Sequence, residues 1–298
     1  MLQSVDKFCL KMRESMDKRS TLHGFASTMT LGAVAAAGLP AGDAAAQDAG
    51  SMLDGMNVIV EGGLVFSDFT ENLYDDKGGS VPGLNADGDN GFYGSVAVSK
   101  GFADNWDWRF SVSTVGLSDN ESRISSGKVP LTLTSSLNML TTDIGVGRNY
   151  TFGTTGVRFG IGLLATDVTQ DKGIAFSGFG DDLELGYTGY GAKLSADIVH
   201  PLSEDGRLTM IGGLSLAPTS GDFETKINGR SVEEGSGSAL LTSGYIGMEM
   251  QQTETMTLRG GLRIDDFDGD PDGTDAGFGI LGGDATTTTA FVGMKIQF

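Results

Sequence analysis

Residues 240–265 read LLTSGYIGMEMQQTETMTLRGGLRID. Apolar or small residues occupy every second position from Leu240 to Met248, and again from Met256 to Ile264. Most positions between them hold Ser, Tyr, Gly, Thr or a charged residue. Such a period of two predicts two half-buried strands, and the polar residues 252–254 between them predict the turn of a β-hairpin.

The same hairpin pattern repeats about every fifty residues, with short turns predicted near residues 104, 153, 203 and 253. A leading strand at 57–66 and a closing strand at 290–298 bring the number of strands to ten. Longer segments rich in Asp, Gly, Ser and Thr separate the hairpins, at 68–90, 118–136, 167–184, 218–236 and 266–286. We interpret these segments as loops.

Short turns at one end, long loops at the other and an even number of strands are typical of a transmembrane β-barrel. The sequence therefore predicts an all-β fold, an antiparallel up-and-down transmembrane barrel of about ten strands. Eight or twelve strands are the alternatives, and residues 131–135 and 278–281 are the candidates for extra strands. A soluble β-sandwich or solenoid also alternates, but it needs a larger apolar core than a hydrophobic fraction of 39% offers.

The composition argues against several other classes of protein. The 298 residues include 20 Lys and Arg against 39 Asp and Glu, and a net charge of −19 does not suit a protein that neutralises nucleic-acid phosphates. The body of the chain has no run of about 18 apolar residues, which a membrane-spanning helix requires. A single cysteine, Cys9, cannot form a disulfide framework or a Cys-rich zinc site.

Residues 1–46 have the order of a secretory signal peptide: a basic region, a weakly apolar region at 25–37 and small residues at 44–46. The basic residues are Lys7, Lys11, Arg13, Lys18 and Arg19. We expect cleavage after Ala46, the alternative being an Ala-rich amphipathic helix of the mature protein. Residues 47–298 then form the barrel, which we expect in the outer membrane of a Gram-negative bacterium, in contact with its lipid and lipopolysaccharide.

The charged residues of the strands fall almost entirely on one parity. One face of each barrel strand meets lipid and stays uncharged, so the charged face points into the lumen. This reasoning predicts a lumen lined by Arg109, Asp143, Arg158, Lys193, Asp197, Arg207, Glu249, Arg259 and Arg263. Lys100 and Arg148 are exceptions at strand ends beside the short turns, where long side chains reach the membrane interface.

Two interpretations of this lumen stay open. Opposite charges across a narrow passage create an ion-selective filter, whereas a salt-bridged interior fills the barrel. Barrels of about eight strands hold only side chains and those of about sixteen hold a channel, so ten strands lie near the filled limit. Inward glycines such as Gly145 and Gly162 likewise either leave room for a solute or permit strong curvature of the sheet.

The chain ends with the alternating segment 290–298, which is closed by Phe298. Gly293, Ile296 and Phe298 resemble the assembly signal of outer-membrane barrels, although Phe291 stands where that signal usually has a polar residue. The resemblance implies recognition by the barrel-assembly machinery, since an exposed final strand can pair with a strand edge of the machinery.

Two further segments, DIGVGR at 143–148 and YGAKL at 190–194, resemble strands of the Legionella-type major outer membrane protein group. The resemblance lies in the general residue pattern of the strands and covers residues 140–265. It implies a porin-like outer-membrane barrel.

Residues that would support catalysis are sparse. The two histidines are His23, which belongs to the predicted signal peptide, and His200, which precedes Pro201 at a predicted short turn. Hydrolases built on such barrels need a His together with an Asp or a Ser at the outer side or on the outer face. We therefore expect that the protein is not an enzyme.

One acidic segment matches the first half of a calcium loop. Asp268, Asp270 and Asp272 alternate ahead of Gly273, but Gly279 stands where the bidentate Glu belongs. Ca²⁺ at this surface segment is therefore a candidate ligand, and we expect no other cofactor.

These features favour a porin-like passive channel for small hydrophilic solutes or ions. The alternative is a non-conducting structural or surface barrel whose acidic loops mediate adhesion or divalent-cation binding. The oligomeric state is left open.

Neutralising Arg259 and Arg263 distinguishes the two. In a channel, loss of these cations should change the ion selectivity, because they belong to the filter. In a filled barrel, the same change should lower thermal stability and leave no current to alter. Single-channel recording together with thermal unfolding measures both outcomes.

Overall fold

In a computed structural model of the chain, the structure describes residues 54–67, 69–70, 85–86, 90–126, 129–176, 179–271 and 283–298. All of them belong to the unit Leu53–Phe298, one of the two units into which the chain divides. The predicted signal segment 1–46 lies outside the described residues, so its cleavage stays a prediction.

Ten strands of the described residues close into one antiparallel barrel, in which neighbours along the chain pair and β1 pairs with β12. These strands are β1 (Met56–Ser67), β4 (Asn90–Ala103), β5 (Trp106–Ser126), β6 (Val129–Phe152), β7 (Thr155–Phe176), β8 (Phe179–Pro201), β9 (Leu208–Ile227), β10 (Arg230–Gln251), β11 (Met256–Pro271) and β12 (Gly283–Gln297). Two short strands, β2 (Phe69–Thr70) and β3 (Asn85–Ala86), pair with each other. The predicted all-β barrel of ten strands is confirmed; residues 131–135 belong to β6, and 278–281 lie outside the described residues.

The short turns lie where the sequence predicts them, at 104–105, 153–154, 202–207 and 252–255. We call the end of the barrel that they form, together with Gly55 and Phe298, the lower end. Asn105 and Gly153 both take a φ of 62°, which suits Asn and Gly in tight hairpin turns. The Gly55 N–H donates to the Phe298 carbonyl at 2.8 Å, so this contact ties both termini of the barrel together.

The loops predicted at 118–136, 167–184 and 218–236 are wrong, because the strands continue through them. β9 and β10, for example, meet in a two-residue turn at Asn228 and Gly229, with φ angles of 52° and 70°. Alternation is hard to recognise here because both faces carry Ser, Thr, Asp or Glu. The strands continue nevertheless, because the hydrogen bonds between their backbones do not require apolar side chains. Most of the predicted loops 68–90 and 266–286 lie outside the described residues, although β11 runs on to Pro271.

The strands are longer than a bilayer requires. β6 has 24 residues, which corresponds to roughly 80 Å, whereas about 9–11 residues cross the membrane. On the outward face of β7, the five alternate residues from Val157 to Ala165 are uncharged before Asp167 follows, and Asp222 on β9 and Asp266 on β11 end similar stretches. We call the outward surface between the lower end and these acids the outer belt.

Above the outer belt the outward surface is polar. The Lys226 ammonium lies 2.8 Å from a Glu184 oxygen and 3.0 Å from a Glu224 oxygen. The hydrogen bonds to these carboxylates raise the pKa of Lys226. No helix among the described residues has the length and apolar character needed to cross a membrane. The upper part of the barrel therefore suits water rather than lipid.

Leu163→Arg tests the position of the outer belt, because Leu163 is an outward residue at its centre and is 68% exposed. We expect a loss of about 2–4 kcal/mol in the free energy of unfolding, the cost of a charge near the bilayer midplane. Thr169→Arg is the control on the same strand and face, above the belt, and should cost about 0–1 kcal/mol. Urea unfolding in lipid vesicles measures both, and equal costs would show that the belt is misplaced.

Candidate functional site

The barrel interior has two layers. Inward side chains nearer the lower end form a charged layer, which consists of Glu61, Asp107, Arg109, Asp143, Arg158, Lys193, Asp197, Glu249, Arg259, Arg263, Asp265 and Lys295. Farther up the same strands they form an apolar layer, and its lowest members, Tyr93 and Phe291, contact the charged layer. The apolar layer consists of Val65, Tyr93, Val115, Leu117, Leu137, Val168, Tyr187, Ala239, Phe267, Ala285 and Phe291. Strand β8 shows the change directly, with Lys193 in the charged layer and Tyr187 in the apolar one.

A hydrogen-bonded bridge crosses the full width of the charged layer. The Tyr245 hydroxyl donates to one Asp197 oxygen at 3.0 Å, and an Arg109 nitrogen lies 3.1 Å from the other. Tyr245 belongs to β10 and Arg109 to β5, and these strands stand five places apart around the ring of ten. Three side chains therefore span the lumen from one wall to the opposite wall.

Arg158 joins this bridge to a second carboxylate. Its guanidinium contacts both oxygens of Asp107 at 2.7–3.0 Å and lies 3.5 Å from Asp197. Asn149 donates to the same Asp107 at 2.8 Å. Fork-shaped contacts of this kind fix the geometry of both partners.

The other wall carries a separate network around Glu61. An Arg259 nitrogen lies 2.9 Å from one Glu61 oxygen, and the Tyr93 and Ser95 hydroxyls donate to the other at 3.1 and 3.0 Å. Arg259 also reaches Glu249, whose second oxygen is 3.8 Å from Lys295. Buried charges are tolerated when they are paired in this way.

Two further pairs complete the charged layer. The Arg263 guanidinium contacts Asp265 at 2.7 Å and donates to the Tyr93 hydroxyl at 3.3 Å. Lys193 lies 2.9 Å from Asp143, which also accepts a short hydrogen bond from the Ser111 hydroxyl. Cations and carboxylates are equal in number in this layer, so its net charge is zero.

A cavity of about 180 Å³ lies within this layer. Besides charged groups, its lining includes the hydroxyls of Ser111, Thr141, Ser195, Ser215 and Ser243. The Ser215 and Ser243 hydroxyls are hydrogen-bonded to each other at 2.9 Å. We call this cavity the polar chamber, and its size and lining suit several water molecules or a small hydrated ion.

The apolar layer closes the lumen above the polar chamber. The Tyr187 ring centre lies 4.5 Å from that of Phe223 and 5.5 Å from that of Phe267. The Tyr187 hydroxyl is satisfied by Thr219 at 2.7 Å. Val65 and Leu137 are 0% and 2% exposed, and buried polar side chains such as Gln170 and Thr225 lie in the same part of the interior.

The structure places eight of the nine predicted lumen residues in the interior. Arg207 is the exception and is a correction, because it lies in the turn before β9 with 73% of its side chain exposed. It faces Asp205 at 3.8 Å rather than the lumen. Side chains alternate between the two faces only within a strand, so the alternation could not predict where a turn residue such as Arg207 points.

The predicted lumen set left out six residues that the structure also places in the interior: Glu61, Tyr93, Asp107, Tyr245, Asp265 and Lys295. The parity of Glu61 was available, since Ile59, Glu61 and Val65 share the inward face of β1. The two tyrosines also have the inward parity, since Tyr245 lies four residues before Glu249 and Tyr93 two residues before Ser95. Their residue type gave no further signal, because a tyrosine suits either face of a barrel strand.

The inward glycines mark close contact between neighbouring backbones. Gly145 and Gly162 face each other across β6 and β7. A Cβ atom on Gly162 would lie 2.5 Å from the Ile144 oxygen and 2.9 Å from Gly145 Cα. These positions therefore serve the curvature of the sheet, as one of the two interpretations predicted.

At the lower end, Phe298 pairs its N–H with the Met56 carbonyl at 3.0 Å, and Ile296 lies between β1 and β11. Gly293 faces inward against β1. Phe291, which departs from the assembly pattern, packs inside the barrel 6.0 Å from the Arg259 guanidinium. Recognition by the assembly machinery stays a prediction.

The remaining predicted residues lie away from the charged layer. His200 is near the lower end as predicted, with its Nδ1 atom 2.9 Å from the Thr155 hydroxyl. Asp268 and Asp270 belong to strand β11, not to a calcium-type loop, because the backbone pairs there with β10. Asp272 lies outside the described residues, within which no cluster of three potential metal ligands occurs. The Ca²⁺ site stays a prediction.

Comparisons with known proteins identify the fold. No protein-family model matches the chain, and no curated protein matches it. Among solved structures, the outer membrane protease OmpT from Escherichia coli superposes with a TM-score of 0.60 at 9% identity, over 83% of this chain and 97% of that chain. The translocator domain of the autotransporter NalP from Neisseria meningitidis has a TM-score of 0.43 at 11% identity, over 85% and 92% of the two chains.

The likeness to OmpT shows that this chain has the fold of an outer-membrane β-barrel. At 9% identity it does not extend to activity, and the TM-score of the NalP domain is too low to add to it. The comparisons do not show the resemblance to the Legionella-type group, which stays a prediction.

Gly162→Ala tests whether the inward glycines serve curvature. The added methyl group would overlap the β6 backbone, so we expect a loss of about 1–3 kcal/mol in the free energy of unfolding. Gly235→Ala is the matched control, because a Cβ atom there meets nothing within 4 Å, and it should change stability by less than about 0.5 kcal/mol. Urea unfolding measures both. If Gly162→Ala is as stable as the control, the glycines leave room for a solute instead.

Proposed function

We propose that the protein is an outer-membrane barrel that forms a narrow channel for small ions, closed at rest by the apolar layer. The observation that carries this proposal is the polar chamber, which lies among balanced charges in the charged layer of the barrel. The outer belt and the fold support a place in the outer membrane, in contact with its lipid and with lipopolysaccharide.

The contrast between the two layers supports a role for the charges. The upper interior contains the apolar layer together with uncharged buried polar side chains such as Gln170, Thr219 and Thr225. Uncharged side chains of this kind would fill the lower interior equally well. Buried ion pairs often stabilise a fold no better than apolar residues of the same volume. Charges that surround a hydroxyl-lined chamber, by contrast, can replace part of the hydration shell of a passing ion.

The closed state follows from two barriers. The Tyr245–Asp197–Arg109 bridge crosses the chamber, and the apolar layer above excludes water in the manner of a hydrophobic gate. A general porin with a permanently open passage does not fit this interior. Passage requires that the Tyr187, Phe223 and Phe267 rings move apart.

We also propose that the barrel has no catalytic role. His200 lies at the lower end and its ring is bonded to Thr155. His200 lies at the opposite end of β8 from the upper part of the barrel, where Asp182 is exposed and Glu184 is half-buried. A hydrolase site at the upper rim would need another general base.

Single-channel recording in a planar bilayer tests the channel. We expect rare, small current steps from the full protein purified from membranes. Phe223→Ala combined with Phe267→Ala should raise the open fraction at least about tenfold, because the gate loses two rings. Phe159→Ala is the control, since Phe159 is an aromatic residue on the outer belt, and it should leave the current unchanged.

Arg109→Gln in the gate variant should then shift the selectivity toward cations, because the chamber loses one positive charge. Each variant is first shown to be folded by its heat-modifiable migration. If the folded wild type and the gate variant both pass no current, the channel proposal is wrong.

That result would favour a second candidate, a permanently closed barrel that acts at the cell surface. Its supporting observation is the extension of the strands above the outer belt, where Lys226 pairs with Glu184 and Glu224. Such a barrel would mediate adhesion or bind divalent cations through its upper, acidic surface.

A further inference from the structure

The outward face of the lower end carries two cations, Lys100 on β4 and Arg148 on β6. They depart from the rule that charges of this barrel point inward, and neither the chamber nor the gate uses them. Lys100 is paired in register with Trp108, and Arg148 with Trp106. The two cations therefore lie on either side of β5, next to its two tryptophans.

The Arg148 guanidinium is held between aromatic rings. Its Cζ atom lies 5.7 Å from the centre of the Trp106 ring and 5.3 Å from that of Tyr150. Tyr150 in turn packs edge-on against Phe159 at 6.0 Å. Stacking on rings orients the planar guanidinium without using its N–H groups.

Among the residues that the structure describes, no carboxylate forms an ion pair with Arg148, whereas Arg158 and Arg259 inside the barrel each contact two. Arg148 is exposed on the outward surface at the lower edge of the outer belt. Its N–H groups therefore face the region where lipid headgroups lie.

Aromatic residues are concentrated on one side of the lower end. Trp106, Tyr150 and Phe152 flank the first two short turns, whereas the exposed Phe298 lies near the turn at 252–255 and no Phe, Trp or Tyr occurs within 199–210 or 248–258. A girdle that only marks the membrane interface would be spread around the ring. The concentration of rings around one unpaired guanidinium indicates a binding site.

The short turns of outer-membrane barrels lie on the periplasmic side, so the lower end meets the periplasmic leaflet. We propose that Trp106, Arg148 and Tyr150 bind the phosphate of an anionic phospholipid in that leaflet, with Lys100 nearby. Arginine recognises phosphate through paired N–H donors, and the rings pack against the glycerol and the upper acyl chain. Because the protein has a net charge of −19, its surface otherwise repels an anionic lipid, so such a lipid needs a local cationic position. This inference does not depend on whether the lumen conducts.

Native mass spectrometry of the full protein in mild detergent tests the site. The protein is titrated with phosphatidylglycerol or with phosphatidylethanolamine of the same acyl chains. We expect the wild type to retain phosphatidylglycerol in preference, and excess inorganic phosphate not to displace it. Arg148→Gln should weaken this retention about fivefold, the size expected for one exposed charged contact.

Arg207→Gln is the matched control, because Arg207 is an exposed cation of the lower end that lies beside Asp205. It should retain phosphatidylglycerol as the wild type does. If Arg148→Gln does not give a heat-modifiable barrel, Trp106→Leu tests the same site and should also weaken retention.

Three results would overturn the proposal. They are equal retention of phosphatidylglycerol by Arg148→Gln and the wild type, equal retention of the two lipids by the wild type, and displacement of the lipid by inorganic phosphate.

Discussion

Closure of the sheet between β1 and β12 is the constraint on which the rest of this structure depends. In hydrocarbon no water satisfies a free backbone N–H or carbonyl group, so every strand must have a neighbour on both sides. The register from Asn57 with Gln297 to Ser67 with Thr287 completes the ring. Once the ring is closed, each strand has one face toward lipid and one toward the lumen. Successive side chains along a strand therefore alternate between these two environments.

That division explains why the interior is charged and why its charges are paired. Side chains such as Arg109 and Asp197 cannot face the outer belt, and a ring of ten strands leaves them little water inside. Each therefore meets a partner from another strand, and the Tyr245–Asp197–Arg109 bridge joins opposite walls. The narrowness that enforces pairing also leaves only a small chamber, which is why we propose a gated passage for ions and not an open pore.

The outward surface follows the same logic in three zones. The outer belt is uncharged over about the length that a bilayer requires. Above it, pairs such as Lys226 and Glu184 are free to form because water is available. At the lower edge Arg148 stands between Trp106 and Tyr150, where headgroup phosphates can satisfy a charge that neither lipid tails nor the lumen could accept.

The sequence by itself determined the features that depend on the alternation of residues along each strand. Alternation of apolar residues gave the ten strands and the short turns near Asn105 and Gly153, and it placed Arg259 and Arg263 inside the barrel. It did not find the upper parts of the strands, because in water both faces accept polar residues while the backbone ladder continues. It also misplaced Arg207, since parity has no meaning in a turn.

Only the tertiary structure decided which interior residues meet. Contacts such as Arg109 with Asp197, or Arg263 with Tyr93, join strands that are not neighbours in the sheet. They depend on the stagger and curvature of the closed ring, which close backbone contacts such as that of Gly145 with Gly162 make possible. The division of the lumen into a polar chamber and an apolar layer also depends on the tertiary structure. Residues that are far apart in the chain lie at the same height along the barrel axis only once the ring is closed.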